Sequence, residues 1–226
     1  MFDISKTANA FLPSQIPAKS LWLKIPFMFL LATILITGCD SNSAIDDSDQ
    51  LSDTIRCSDL AVDPFVGFVD GRPVGTGAFT YFSLLENKVI SETDSSSTKW
   101  DIALQGTTLR VNGGLSGPGN GAVQIIDGLF EEILLAPESG WKVETVSAPA
   151  ITPGSGAGWY NYNPATMVIS PVPGRVILVR TAGGLYSKLR ILSYYKGMPE
   201  TPTAESEARY ILFEYVIQRD GSRSFE

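Results

Sequence analysis

The stretch that decides the fold is Arg175-Val-Ile-Leu-Val-Arg-Thr181, which is followed by Gly183-Gly184 and by the run from Leu185 to Tyr195. Residues branched at Cβ, such as Val and Ile, favour extended backbone. A glycine pair between two such runs permits the positive backbone angles of a tight hairpin turn. The stretch therefore predicts two antiparallel strands joined by a short turn.

The chain on either side of this hairpin continues the strand pattern. Near its end, Ile211, Phe213, Tyr215 and Ile217 share one face by strict alternation, with Glu214 and Gln218 on the other face. Further strand-like runs are Phe79–Leu84, Trp100–Leu104, Thr107–Val111 and Val123–Ile126, while only Phe130–Leu135, which Pro137 ends, has a helical pattern. These patterns predict a single all-β domain of antiparallel strands with long glycine-rich loops.

The N-terminal part of the chain has the order of a bacterial export signal. Lys19 and Lys24 precede an almost wholly apolar run over residues 25–38. That run is shorter than the roughly 20 apolar residues that a transmembrane helix needs. It ends in Ile36-Thr37-Gly38-Cys39, which resembles a lipoprotein cleavage site. We therefore expect residues 1–38 to be a removed signal peptide and Cys39 to carry the lipid.

The segment that follows Cys39 is acidic and serine-rich. Such a composition buries too little apolar surface to order itself, so residues 39–60 are predicted to form a flexible tether and residues 61–226 the folded domain. Cys57 is the one other cysteine in the sequence. With a lipid on Cys39, it is predicted to have no intrachain disulfide partner.

The amino-acid composition argues against several classes of function. The chain has no histidine, so it offers neither a Ser-His nor a Cys-His nucleophile pair, and no zinc site that uses histidine. Its net charge of −7 repels the phosphate backbone of nucleic acid. No spacing nominates another catalytic pair, and we expect a protein that is not an enzyme and does not bind nucleic acid.

Two long glycine-rich loops, Gly113–Gly121 and Thr152–Gly158, interrupt the strands. The first continues into Ala122 with the glycine spacing of a dinucleotide-binding loop, but that loop must open a helix, and Val123–Ile126 predicts a strand. We interpret both loops as connections, with closure over a ligand as the alternative.

Short motifs spread from about residue 80 to the end resemble the HmuY-type haem-binding lipoproteins. The residues that carry the resemblance are Lys99-Trp-Asp-Ile-Ala-Leu104, Arg110-Val-Asn-Gly-Gly114, Trp159-Tyr-Asn-Tyr162, Pro173-Gly-Arg-Val176, Arg180-Thr-Ala-Gly-Gly184, Tyr186-Ser-Lys188, Leu192-Ser-Tyr-Tyr-Lys196 and Phe213-Glu-Tyr-Val-Ile-Gln218 with Asp220-Gly221-Ser222. The resemblance implies an all-β fold that grips haem between projecting hairpins through two axial side chains.

The resemblance also implies where the haem ligands lie. Met167 falls where the downstream axial ligand is expected, and a thioether suits haem iron. No histidine or methionine lies between Thr107 and Trp159, so the second ligand stays open: Met198, or a tyrosine such as Tyr160 or Tyr162, or none. Trp159 and the two tyrosines could stack on a porphyrin or pack the sheet, and Arg175 and Arg180 could pair with its propionates or lie unliganded on the strand surface.

Two functions remain open on this reading. In the first, a lipoprotein anchored in the bacterial cell envelope, at the outer membrane or cell surface, captures haem for an outer-membrane receptor. In the second, a surface interaction module of the same fold binds no haem and recognises another ligand or a protein.

Overall fold

The computed structural model describes residues 54–70 and 72–226, and the long elements of that part of the chain are all strands. The strands are β1 (Ile55–Ala61), β2 (Phe65–Val69), β3 (Arg72–Gly75), β4 (Thr80–Ser83), β5 (Lys88–Ile90), β6 (Ile102–Gln105), β7 (Thr108–Val111), β8 (Ala122–Asp127), β9 (Tyr160–Asn163), β10 (Val168–Pro171), β11 (Arg175–Arg180), β12 (Tyr186–Tyr195) and β13 (Ala208–Ile217). Two short 3₁₀ helices lie at Glu92–Asp94 and Phe130–Glu132. The predicted all-β fold class is confirmed.

The strands form two main sheets and two separate hairpins. A five-stranded sheet has the order β1-β13-β12-β11-β8, and a four-stranded sheet has the order β5-β4-β6-β7. Within the described part of the chain, β2 pairs with β3 alone, and β9 with β10 alone. All of these pairs are antiparallel, so the fold consists of meandering strands with two hairpins set apart from the main sheets.

The hairpin predicted from residues 175–195 is confirmed. β11 and β12 pair in continuous register from Ile177 opposite Leu189 to Arg180 opposite Tyr186. In the turn, the amide of Gly184 donates to the carbonyl of Thr181 at 3.0 Å, and φ at Gly184 is +91°. A side chain there would strain the backbone, which is why the sequence places glycine at this position.

The last strand differs from its prediction because both of its faces are covered. Ile211, Phe213 and Tyr215 are buried as expected, but Leu212 and Val216 are buried as well. Val216 belongs to a second apolar cluster that includes Phe130 and Phe225. The strand pattern read from the sequence therefore identified only one of two buried faces.

The main core lies between the two large sheets. Phe82 of β4 and Phe213 of β13 meet edge to face, with their ring centroids 5.5 Å apart. The hydroxyl of Tyr215 crosses to the carbonyl of Leu84 at 2.9 Å. Such a hydrogen bond satisfies a polar atom that would otherwise be costly to bury, so the two sheets are tied at a defined position.

The folded domain begins earlier than predicted. Strand β1 starts at Ile55, within the predicted tether, and it pairs with β13. Its buried residues are Cys57 and Leu60. Cys57 is disulfide-bonded, so the prediction that it has no disulfide partner is wrong. Cys39, the other cysteine of the sequence, lies outside the described residues.

The predicted signal peptide over residues 1–38, the lipid attachment at Cys39 and most of the predicted tether also lie outside the described residues. Within residues 54–70 and 72–226, no helix has the length and apolar character to span a bilayer.

Candidate functional site

Met167 lies at the end of the β9–β10 hairpin rather than in the core. It occupies the turn just before β10 with φ of +56°, and 62% of its surface is exposed. Positive φ is uncommon for residues other than glycine and costs conformational energy. A methionine held in this way on a projecting hairpin does not fill the core, and its thioether is accessible.

A cleft of about 890 Å³ brings Met167 together with Tyr162 and Ile169 of the same hairpin, and with Phe65 and Phe68 of the β2–β3 hairpin. Its volume falls in the range of small-molecule sites. The remaining lining residues are Asp63, Gln105, Gly106, Thr107, Tyr194, Tyr195, Thr203, Ala204, Glu205, Ser206, Glu207, Ala208 and Arg209. The two hairpins that stand apart from the main sheets therefore share one apolar cleft.

Phe65 and Phe68 form an aromatic pair that the sequence analysis did not identify. Their ring centroids lie 5.2 Å apart with the planes at 70°, and the two residues are 51% and 69% exposed. The pairing of β2 with β3 shifts register between Phe65 and Gly67. An extra residue in a strand resets the alternation of faces, so two rings three positions apart can meet on one side.

The base of the β2–β3 hairpin is held by Asp63. This carboxylate accepts the amide of Gly77 at 2.6 Å and the hydroxyl of Thr76 at 3.1 Å, and it forms an ion pair with Arg209 of β13. Arg209 also donates to the carbonyl of Asp63 at 3.0 Å. A Cβ at Gly75 would collide with this pair. These contacts fix the direction in which the hairpin leaves the domain.

The β9–β10 hairpin is tied to the five-stranded sheet by Tyr195, whose hydroxyl accepts the amide of Ile169 at 2.9 Å. Its neighbour Tyr194 is buried, and burial raises the pKa of Tyr194 to about 12 against the opposing effect of Arg209. Tyr194 therefore keeps its proton at neutral pH and is not a tyrosinate.

The aromatic residues before Met167 do not all reach this cleft. Trp159 is buried, donates from Nε1 to the carbonyl of Thr107 at 2.8 Å, and packs edge to face on Tyr160 at 5.2 Å. Trp159 and Tyr160 line a separate cavity of about 460 Å³ beside Glu144. Of the three predicted aromatic residues, only Tyr162 shares the cleft with Met167.

Met198 lies in the loop between β12 and β13, with φ of +46°. Its sulfur accepts a hydrogen bond from Nη2 of Arg56 at 3.6 Å. It is not among the residues that line the cleft, so the structure does not bring the two predicted methionines together.

The two arginines considered for propionate binding have other partners. Arg175 pairs with Asp127 at 2.6 Å and donates to the carbonyl of Gly158. Arg180 donates from Nε to the carbonyl of Asn120 at 2.8 Å. Neither arginine lines the cleft.

The loop Gly113–Gly121 folds onto Asn112. The Asn112 amide donates to the carbonyls of Ser97 and Trp100, both at 2.8 Å, and its oxygen accepts the amide of Gly119 at 3.0 Å. The loop leads into β8, as predicted, and not into a helix. Its glycines allow close packing, and the interpretation as a connection agrees with this geometry.

Metal binding by the usual anionic or imidazole ligands finds no support in residues 54–70 and 72–226, where no three His, Cys, Asp or Glu side chains are grouped to hold an ion. Among the described residues that line the cleft, the thioether of Met167 is a soft donor.

No protein-family profile matches the chain, and no curated protein matches it. The solved structures that resemble it include three at 16% sequence identity. They are a Bacteroides fragilis protein named as a lipoprotein (TM-score 0.42, covering 72% of this chain and 86% of that one), an HmuY-like protein of Bacteroides vulgatus named as heme-binding (0.43, 72% and 90%), and the apo HmuY analog of Tannerella forsythia (0.42, 76% and 100%). Likenesses this distant do not show a family.

Proposed function

We propose that this protein is a haem-binding carrier of the HmuY type, without enzymatic activity, that holds haem in the cleft between the β2–β3 and β9–β10 hairpins. The observation that supports the proposal is the placement of exposed Met167 and Tyr162 in one cleft with exposed Phe65 and Phe68. Its role is to capture haem for delivery to an outer-membrane receptor.

The residues of the cleft suit haem in two respects. Aromatic rings offer flat apolar surface for a porphyrin face, and Phe65 and Phe68 are exposed. The thioether of Met167 is a soft, neutral donor of the kind that ligates haem iron in some cytochromes. Tyr162 is the lining residue we propose as a second donor, because its side chain is on the same hairpin as Met167.

The test is a spectroscopic titration of the purified domain with ferric and then ferrous haem. We expect a shifted Soret band that saturates at one haem per chain. If Met167 is the dominant axial donor, binding should be tighter for ferrous haem, because a neutral thioether favours the lower oxidation state relative to imidazole, whereas ligation by a Tyr162 phenolate would favour ferric haem. An unshifted spectrum in both redox states would falsify the proposal.

A second candidate function is supported by the rest of the β2–β3 hairpin. Val66 and Val69 are exposed and do not line the cleft. Exposed apolar side chains grouped on one element are typical of a surface that contacts another protein. An interaction module of this kind should show no Soret shift and no rise in its thermal midpoint when haem is added.

We also propose that the protein is exported and held in the cell envelope by a lipid on Cys39, as its sequence predicts. A sulfur that carries a thioether-linked lipid cannot take part in a disulfide, so a lipid on Cys39 would leave Cys57 without an intrachain partner. A lipid on Cys39 and a disulfide between Cys39 and Cys57 therefore exclude each other.

Mass spectrometry of the protein isolated from membranes separates these two states. The proposal expects an N-terminal lipopeptide that begins at Cys39, and a Cys39→Ser protein that leaves the membrane fraction. Recovery of a peptide in which Cys39 is bonded to Cys57 would refute the lipid anchor and leave the haem proposal untouched.

A further inference from the structure

The charged residues of the cleft are mostly acidic. Among the described residues that line it, Asp63, Glu205 and Glu207 are acidic and Arg209 is the one basic residue. Arg209 is engaged by the carboxylate and the carbonyl of Asp63. The one cation among the described lining residues is therefore already paired with Asp63, and it is not available to an incoming carboxylate.

The two glutamates lie together on the loop that precedes β13. Glu205 accepts the hydroxyl of Thr203 at 2.7 Å, and this hydrogen bond lowers the pKa of Glu205. Glu207 pairs with Lys196 at 3.2 Å, and both side chains are well exposed. At neutral pH the loop 203–207 carries negative charge along one side of the cleft.

The uncharged lining residues include polar side chains, such as Gln105, Thr107 and Ser206, and a group of large apolar or aromatic ones. This group includes Phe65, Phe68, Met167, Ile169 and Tyr194. Such a surface favours a flat ring, whereas a carboxylate buried against it without a counter-ion costs several kcal/mol. Carboxylates that stay at the rim would meet the like charge of Glu205.

We propose that the cleft selects porphyrins with few or masked carboxylates, and that it binds the ring by an uncharged edge with any acidic groups directed to solvent. The selection follows from the absence of an unpaired cation among the described lining residues and from the acidic loop beside the cleft. This inference rests on the proposed haem-binding function and names the class of ring that the site prefers.

The experiment compares three iron porphyrins that share a ring and differ in free carboxylates: the dimethyl ester of protoporphyrin with none, protoporphyrin with two, and coproporphyrin with four. All are titrated into the purified domain in the same detergent. We expect the tetracarboxylate to bind about tenfold or more weakly than the ester, which corresponds to about 1.4 kcal/mol. Because salt screens like-charge repulsion, the affinity for the tetracarboxylate should rise with ionic strength.

A charge-neutral variant tests the origin of the preference. Glu205→Gln should raise affinity for the tetracarboxylate by about two- to fivefold, as expected for a screened surface charge, and should change affinity for the uncharged ester by a smaller factor. Glu138→Gln is the matched control, because Glu138 is exposed, pairs with Arg223 and lies outside the cleft. It should change neither affinity.

The titrations distinguish the selectivity among porphyrins from haem binding itself. Equal or tighter binding of the tetracarboxylate, with affinity that falls as salt is added, would overturn the selectivity and keep haem binding. A protein that shifts the spectrum of none of the three porphyrins would overturn both.

Discussion

Asp63 and Arg209 form an ion pair that joins the base of the β2–β3 hairpin to the five-stranded sheet. The side chains are only 9% and 17% exposed, respectively. The two residues are 146 positions apart in the sequence. This pair therefore positions the hairpin that carries Phe65 and Phe68.

Arg209→Ala should destabilise the domain, because it leaves the Asp63 carboxylate buried without its partner. Removing one member of a buried pair costs about 3–5 kcal/mol. We expect a loss in the free energy of unfolding near the lower end of this range, because Gly77 and Thr76 still donate to Asp63. Chemical denaturation of the variant measures this loss. Haem affinity should fall with it, because Phe65 and Phe68 lose their fixed position.

The matched control is Glu138→Ala, which breaks an exposed pair with Arg223 and leaves the hydrogen bond from Arg223 to the carbonyl of Ala136. Exposed pairs contribute about 0–1 kcal/mol. If both variants lose the same small amount of stability, Asp63 and Arg209 do not form a buried structural pair.

Phe68→Ala should separate binding from stability. The ring is 69% exposed, so its loss should change the free energy of unfolding by less than about 0.5 kcal/mol, as for most surface substitutions. Burial of a Phe side chain is worth about 1.5–3 kcal/mol, and haem affinity should therefore fall by about tenfold or more if the ring covers the porphyrin. Both quantities can be measured on one preparation.

Val89→Ala is the control for that comparison, because Val89 is an exposed apolar residue on β5 and lies outside the cleft. It should alter neither stability nor haem affinity. A Phe68→Ala protein that binds haem like the wild type would show that this ring is not part of the site.

The main strands were predictable because their residues satisfy local rules. β11 and β12 are rich in branched apolar residues around a glycine turn, and β6 and β7 pair as two short neighbouring runs. Pairing between sequence neighbours needs no long-range information, which is why these elements were found. The second buried face of β13 was missed because the cluster around Phe130 and Phe225 covers it from distant parts of the chain.

The candidate site was only partly predictable. Met167 and Tyr162 came from the family resemblance, but Phe65 and Phe68 depend on a strand irregularity that breaks simple alternation. Their one local signal is the run Phe65-Val-Gly-Phe-Val69, which is apolar on both faces and therefore unusual for a strand with water on one side. Strand β1 was missed because Arg56 and Asp59 made its segment resemble the acidic linker before it.

The buried carboxylate of Asp101 should make stability depend on pH. It accepts the amides of Leu84 at 2.8 Å and Ala182 at 3.0 Å, and burial raises its pKa above the ordinary 3.8. The folded protein therefore holds this proton more tightly than the unfolded chain. The contribution of protonated Asp101 to the free energy of unfolding is fully present below pH 3.8, and it is lost as pH rises through the raised pKa of Asp101.

Denaturation of wild type and Asp101→Asn across this pH range isolates that contribution. The variant cannot titrate at this position and also loses a hydrogen bond, which costs about 1–3 kcal/mol at every pH. The gap between the two proteins should be widest in acid and should narrow towards neutral pH. A gap that is constant with pH would mean that Asp101 has the same pKa in both states.

Met167→Ala should weaken haem binding without destabilising the protein. Because Met167 is 62% exposed in a hairpin turn, its loss creates no core cavity, unlike buried methionines, whose removal costs about 2–5 kcal/mol. If its thioether ligates the iron, the variant should show a moved Soret band, and its affinity should fall more for ferrous than for ferric haem, because the neutral sulfur favours the reduced metal.

Met198→Ala is the matched control for this last prediction, because Met198 is also an exposed methionine with positive φ in a loop but lies outside the cleft. It should leave the spectrum and both affinities unchanged. If Met198→Ala moves the Soret band as much as Met167→Ala does, the axial donor does not come from this cleft, because only Met167 lines it together with Phe65 and Phe68. Equal wild-type spectra for both variants would leave Tyr162 as the donor to test, by substitution with Phe.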